Sequence, residues 1–440
     1  MSELTSEIQR IFELQTAHQW VNKVSTSEQR LEKLNHLLAV IQKREQDVVD
    51  ALYADLKRPA EGALGEIQSV YGEIQDAIAN LEEWMKPEEV QPSELFAGGS
   101  AKMVYEARGI VLVFSAWNYP FNLLLQPVVQ AISAGNCVIA KPNELSPNVS
   151  KVATEIMREA FDEKDVAVFE GGVDLSNELL ELPVNHVFFT GSPAVGKIVM
   201  AAAAKHLASV TLELGGKNPV IIDRTADIQD AGQKLAAFRT MNSGQVCLCP
   251  ENVYVPEESY DDLVGVIKET YQALLYKDGA LNVEAQGKII NERNLKRVKG
   301  YVDDAKEKGA TVVCGGELDA TGLTLEPTVL SNVPKDARIM SEETFGPILN
   351  IFTYKEVGEA IRSIQGQDKP LAVYIFSQDK EFVDNVLGQT SSGGVTVNSC
   401  VMHFLEHKLP FGGVNGSGNG SYHGIHGFRE LSHKRAVLSL

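Results

Sequence analysis

The chain changes its hydrophobic rhythm twice. Over residues 1–85 apolar positions recur at helical spacing: Leu31, Leu34, Leu38 and Ile41 form one stripe, and Val48, Val49, Leu52 and Leu56 another. Residues three or four apart share a helix face, so the stripes predict amphipathic helices. Thr26-x-x-Gln29, ahead of the first stripe, reads as a capping box. The pattern then breaks between Lys86 and Gly109. Pro87, Pro92, Gly98 and Gly99 lead there into a short polar strand, Ala101 to Glu106. We read this stretch as an excursion from the main body, shaped as a hairpin arm.

From Gly109 onward, β-branched apolar runs alternate with helical stretches. Strands are expected at 110–114, 137–140, 166–169, 186–190 and 209–214, with helices at 121–134, 147–161 and 195–206. A second region of the same type follows, with strands at 219–222, 252–255, 311–314, 348–353 and 372–375. Its helices are expected at 231–241, 259–275, 296–308 and 357–364. Near-continuous apolar strands joined by helical crossovers imply parallel sheets covered on both faces. Such sheets bind ligands outside the carboxyl ends of their strands. The last forty residues turn glycine-rich, from Gly412 to Gly424, and no internal repeat or low-complexity linker appears.

Length and charge narrow the function. A chain of 440 residues is too long for one core, so two or more domains are expected. The net charge of −19 argues against nucleic acid as a partner. Five irregularly spaced cysteines are no disulfide framework and fit a reducing cytoplasm. Met1 to Gln19 carries no apolar signal core, no run approaches a membrane span, and the short apolar C-terminal tail is no anchor.

The chemistry concentrates in a few strings. Asn242-Ser-Gly-Gln-Val-Cys247-Leu-Cys249 brings small polar residues up to a cysteine at a helix end. Gly244 admits a ligand close to the backbone, and a partly exposed thiolate in an electropositive setting makes Cys247 a candidate nucleophile. The alternative is a loop cysteine without chemistry. Leu212-Glu213-Leu214-Gly-Gly-Lys217 ends an apolar strand with a carboxylate. Desolvation there would raise its pKa and suit a general base, unless it pairs with Lys217. Trp117-Asn118-Tyr119-Pro120 follows another strand, and its Asn amide either donates to an oxyanion or caps the next helix. Gly191-Ser-Pro-Ala-Val-Gly196-Lys197-Ile198 opens a helix whose N–H groups suit a phosphate. It nearly matches a nucleotide-hydrolase P-loop but has Ile198 where a magnesium-binding hydroxyl belongs. Glu342-Glu343 reads as a solvated acidic turn, and His403, His407 and His423 are scattered without metal-ligand spacing.

Together these strings resemble the NAD(P)-dependent aldehyde dehydrogenase superfamily, from about Tyr105 to Lys434. FRTMNSGQVC (238–247) resembles the family's cysteine signature and LELGGK (212–217) its glutamate signature. WNYP, KPNE (141–144), FTGSPAVG (189–196), EETFGP (342–347) and LPFGG (409–413) stand in the family's order. The short N-terminus and the ending GSYHGIHGF are most similar to the class-3 branch, which oxidises medium- or long-chain and aromatic aldehydes.

The resemblance implies an α/β fold: a Rossmann-type parallel-sheet cofactor domain (1–85 and 107–212), an α/β catalytic domain (213–396), and an oligomerisation arm with a C-terminal segment (86–106 and 397–440). It implies that the arm pairs with the C-terminal segment of a partner subunit in a homodimer. It makes Cys247 the nucleophile, Glu213 the base that activates water, and Asn118, with the Cys247 N–H, the oxyanion donor. It assigns Trp117, Lys141, Glu144, Gly191, Ser192, Gly196, Leu214, Glu343 and Phe345 to NAD or NADP, and Tyr119 and Phe411 to the aldehyde pocket. No metal is implied. Glu144 would accept from a ribose 2′-hydroxyl and repel a 2′-phosphate, which favours NAD. Asn143 departs from the family pattern without evident consequence. Two alternatives are a P-loop hydrolase and a non-catalytic family member.

Overall fold

The computed structural model describes residues 3–319 and 322–440. Two twisted sheets carry the chain. The first has the strand order Gly418–Asn419, Ser209–Glu213, His186–Thr190, Ile110–Phe114, Cys137–Lys141, Val166–Val168. All its pairings are parallel except that of Gly418–Asn419, which runs antiparallel to Ser209–Glu213. The second has the order Thr311–Cys314, Thr328–Ser331, Ile348–Tyr354, Asn252–Pro256, Pro219–Ile222, Ala372–Phe376, Gly394–Val397, parallel after its first pair. Thus most anticipated strands form within a residue of their expected ends. Thr328–Ser331, Gly394–Val397 and the helix Val173–Leu180 were not anticipated, because each is short and carries no clear period of its own.

Strand alternation explains why the first sheet needs cover on both sides. Val111 and Val113 join one core with Leu34, Leu52 and Ile67 of the N-terminal helices, while Ile110, Leu112 and Phe114 join another with Ile8 and Ile11. Val138 and Ala140 against Cys137 and Ile139 divide in the same way. The first of these cores also holds Val220, Val253 and Tyr374, so both sheets share one apolar interior. Helix Ser27–Lys43 begins with the expected capping box: Thr26 Oγ1 accepts from Gln29 N, and Gln29 Oε1 accepts from Thr26 N at 3.0 Å.

The arm departs from expectation in its partner. Ser100–Ala107 pairs antiparallel with Ser432–Ser439 of the same chain, from Ser100 opposite Ser439 to Ala107 opposite Ser432. Glu88–Val90 forms the outer strand of this small sheet. Helix Gly424–Glu430 provides the reason. Its Phe428 ring lies 5.9 Å from Trp84, and the Glu430 carbonyl accepts from Arg108 Nε at 2.7 Å. The chain therefore leaves this helix directly beside Ala107.

Candidate active site

One cavity of about 1840 Å³ lies between the carboxyl ends of the first sheet and the segment after helix Ile228–Thr240. Cys247, Glu213, Asn118, Glu343, Tyr119 and Phe411 all line it. Residues far apart in sequence are thus brought to one place, at the strand ends where a parallel sheet binds ligands.

Cys247 is half-buried at the end of a strained turn. Asn242 and Ser243 have φ of 51° and 54°, in the left-handed region, and Gly244 follows at 72°. A Cβ on Gly244 would lie 2.3 Å from the Gly346 carbonyl oxygen, so only glycine fits. Below the turn, Gln245 is fully buried. Its Nε2 donates to the Asn242 and Lys288 carbonyls at 3.0 Å, and its Oε1 accepts from Ile290 N at 2.9 Å. This glutamine holds the cysteine turn from beneath; its polar type inside a cysteine signature was the available sign of that role. Cys249 faces away, buried, with its thiol on the Phe238 carbonyl.

The electrostatic setting of Cys247 is a correction. Burial, then the nearby Glu343 and Glu213 carboxylates, push its thiol pKa well up, against a smaller opposing effect of its own backbone N–H. No cationic side chain stands among the groups that act on this thiol, so the anticipated electropositive surroundings are not supplied by them.

Glu213 ends its strand fully buried, and neither carboxylate oxygen has a hydrogen-bond partner. Desolvation, followed by the Glu430 charge, raises its pKa well above the ordinary carboxylate value. The anticipated alternative, pairing with Lys217, does not occur. Lys217 instead forms an ion pair with Glu251 and donates to the Glu342 carbonyl at 3.0 Å.

Asn118 is no helix cap. The following helix, Asn122–Ser133, starts without a side-chain cap from Asn118, whose Nδ2 donates to the Gln245 carbonyl at 3.0 Å. Its second amide hydrogen remains available. Glu66 takes the helix start instead, accepting from Phe121 N at 2.8 Å and Asn122 N at 3.1 Å.

The cofactor side follows the first sheet. Buried Lys141 bonds Glu144, and Asn143 Nδ2 fastens their loop to the Ser115 carbonyl at 3.1 Å, which gives the departing Asn143 a structural task. Gly191 N donates to the Glu213 carbonyl at 2.9 Å, and Ser192 caps helix Pro193–Ala204. A Cβ on Gly196 would meet Leu214 at 2.8 Å, so the helix lies close on the strand. Lys197 and Ile198 are both exposed on that helix, and no phosphate cradle closes around Lys197. The buried Thr190 hydroxyl is unpartnered. Glu343 is half-buried, not a solvated turn; burial and then Glu251 raise its pKa to about 8. Phe345, at φ 44°, sets its ring edge-on to Trp117 at 5.4 Å. A capped helix N-terminus, a close glycine turn, an unpartnered hydroxyl and carboxylates at both ends suit a dinucleotide.

The histidines are not scattered in space. His407 Nδ1 bonds the buried Glu73 at 3.0 Å, and the His407 and His423 rings are 5.4 Å apart. Glu73 also accepts from Gln130 and, at 3.2 Å, from Gly424 N, so its oxygens are already occupied by protein donors.

Comparison with known proteins decides the family. A model described as the aldehyde dehydrogenase family matches residues 6–437. The chain belongs to the aldehyde dehydrogenase family. It is 41% identical over 410 residues to aldehyde dehydrogenase family 3 member A2 of Rattus norvegicus, covering 93% of this chain and 84% of that one. Its fold matches the substrate-bound state of Staphylococcus aureus AldH with a TM-score of 0.93 at 36% identity, covering 98% of this chain and 93% of that one. The Mycobacterium tuberculosis aldehyde dehydrogenase complexed with NAD+ matches with a TM-score of 0.89 at 25% identity, covering 98% of this chain and 90% of that one. This aldehyde dehydrogenase oxidises an aldehyde to the carboxylic acid with NAD(P). The P-loop alternative has no support in any of these comparisons. Among the described residues no helix is long and apolar enough to cross a membrane.

Proposed function

We propose that this chain is a hydrolytic, NAD-preferring oxidant of medium- or long-chain aliphatic or aromatic aldehydes. The observation that carries the reading is the unpartnered Glu213 carboxylate in the same buried cavity as Cys247. The Cys247 thiol gives its proton to water as its sulfur adds to the aldehyde carbon, and the carbonyl electrons move to oxygen. Asn118 Nδ2 and the Cys247 N–H hold that oxyanion. What NAD(P) supplies when bound is a hydride acceptor. Once hydride has left carbon, a thioester remains on Cys247. Glu213 takes a proton from water, the water oxygen attacks the thioester carbon, and the Cys247 sulfur departs with the bonding pair.

Trp117, Lys141, Glu144, Gly191, Ser192, Gly196 and Leu214 form the cofactor side in this reading, with Glu343 and Phe345 at the nicotinamide end. Tyr119 and Phe411 line the aldehyde side. Its mouth is apolar, with Leu274, Val401, Met402, Phe404 and Leu405 along the cavity. That lining supports a chain or ring substrate over a short polar one. The residue limits 1–85 and 107–212, 213–396, and 86–106 with 397–440 belong to the same proposal as cofactor, catalytic and arm regions.

A homodimer in the cytoplasm completes it. The edge strand Gly394–Val397 pairs on one side only, among the described residues, and all five cysteines are free. Sedimentation giving a monomer would remove the dimer.

NADH formation from a panel of short aliphatic, long aliphatic and aromatic aldehydes, with and without CoA, tests the reaction. Turnover without CoA, rising with chain length, is expected. An absolute need for CoA would overturn hydrolysis, and an NADP efficiency at or above that of NAD would overturn the cofactor preference.

A further inference from the structure

We infer that the buried ion pair Arg58–Glu66 is a positioning device that holds the Asn118–Asn122 turn in register with Cys247. The inference rests on the reading of Asn118 as an oxyanion donor. Neither Arg58 nor Glu66 belongs to the strings that marked the site. Arg58 lies just before helix Ala60–Trp84, and Glu66 lies in its second turn. Their relative exposures are 3% and 2%, so two charges are taken out of water beside the cavity that both line. Such burial is costly unless each charge is fully used.

One atom of each side chain holds the other, one of each is spent on the same turn, and Arg58 Nε alone has no partner. Arg58 Nη1 pairs with Glu66 Oε2, and Arg58 Nη2 donates to the Asn118 carbonyl. The guanidinium lies over the Tyr119 ring, 4.2 Å from its centroid. Glu66 Oε1 accepts from Phe121 N and Asn122 N. Asn118, Tyr119, Phe121 and Asn122 are therefore gripped in succession. Beyond them the helix Asn122–Ser133 is buried along its whole length, which anchors the far end of the turn.

The grip meets the cysteine turn at Asn118. Its carbonyl accepts from Asn242 Nδ2 at 3.0 Å as well as from Arg58, and its side-chain amide donates to the Gln245 carbonyl. Asn242 and Gln245 belong to the turn that presents Cys247. Oxyanion stabilisation depends on a donor held where charge develops, and a displacement of about 1 Å can cost roughly 10²-fold in rate. An ion pair that fixes both the main chain and the neighbours of Asn118 supplies that placement. Arginine suits the task because its planar fork serves two acceptors and stacks on an aromatic ring at once; lysine does not.

A double-mutant cycle tests this, read as kcat/KM for the aldehyde, with NAD affinity and melting temperature measured alongside. Arg58→Ala is expected to lower kcat/KM roughly 10²-fold with NAD affinity unchanged. Arg58→Lys and Glu66→Gln are each expected to lower it about tenfold, since one contact of each group survives. In an Asn118→Ala background the Arg58 and Glu66 substitutions should add little, because the group they position is already gone. Costs that simply multiply would make the pair a structural support and overturn the inference, while leaving Asn118 in its role. An Asn118→Ala enzyme with full activity would remove the reading of Asn118 itself, and the inference with it. If Arg58→Ala does not fold, the Arg58→Lys and Glu66→Gln cycles decide.

Discussion

On the cofactor side of the cavity, the functional groups sit where their own strands end. Lys141 closes Cys137–Lys141, and Gly191 and Ser192 follow His186–Thr190 directly. The backbone of these three residues is relaxed, Gly191 and Ser192 are partly or fully exposed, and the left-handed Phe345 at the nicotinamide end is the exception. The catalytic side is made differently. Asn242, Ser243 and Gly244 stand in the left-handed region, Val401 on the same cavity wall has φ 68°, and the turn is held by Asn118, itself gripped by Arg58, from distant parts of the chain. Strained backbone persists only where the surroundings over-determine it. A phosphate needs N–H groups that any capped helix supplies. A nucleophile and its oxyanion donor need placement to a fraction of an ångström, and only long-range packing provides that.

Substitutions separate the two sides, and the largest effect belongs to the paired cysteines. Cys247→Ala should abolish turnover and keep NAD binding, while Cys249→Ala, whose thiol faces the Phe238 carbonyl, should keep most activity. A dead Cys249 variant with an active Cys247 variant would reverse the assignment.

Glu213→Gln comes next. Losing a general base costs about 10²–10⁴-fold. The variant should release a single burst of NADH and then stall at the thioester, as rapid-mixing absorbance would record. The same residue makes a stability prediction of definite sign. The native carboxyl holds its proton above pH 4.5, where the unfolded one has lost it, so stability falls as pH rises from there towards the raised native pKa. Thermal unfolding should therefore find Glu213→Gln progressively more stable than the parent at alkaline pH. An advantage that shrinks as pH rises would contradict the buried, unpartnered carboxyl.

Gly244→Ala should be intermediate. A left-handed alanine costs about 1–2 kcal/mol, and the collision with the Gly346 carbonyl forces the turn to shift. We expect a lowered melting temperature and a loss of kcat/KM of roughly 10²-fold. Ser192→Ala, on the relaxed side, should show the smallest effect. Loss of this cap costs about 1 kcal/mol of stability and should weaken NAD(P) only a few-fold, measurable by fluorescence titration. Equal losses from Gly244→Ala and Ser192→Ala would erase the distinction between the two sides.

Much of this molecule was legible from periodicity. Apolar runs located the strands of both sheets, and helical stripes located Ser27–Lys43 and its capping box, because burial on one or both faces imposes those patterns locally. The strings around Cys247, Glu213 and Asn118 were also visible, and the cavity brings them together. What periodicity missed was whatever depends on distant partners. Thr328–Ser331 and Gly394–Val397 are strands because neighbouring strands pair with them. The arm takes the chain's own C-terminal strand, since helix Gly424–Glu430 delivers it there. His407 bonds Glu73 from more than three hundred residues away and His423 lies close by, while His403 bonds Thr396 instead.

Local sequence thus determined the chemical groups and the family that uses them, because a nucleophile, a base and a phosphate-binding turn each require particular residues at short spacing. Tertiary structure alone decided their state. Burial without a partner set the proton affinity of Glu213, and burial raised that of the Cys247 thiol. Arg58 and Glu66 reach Asn118 and its turn only because the N-terminal helices pack beneath the first sheet. Desolvation and charge proximity are properties of the folded interior, and they are not carried by any short run of the chain.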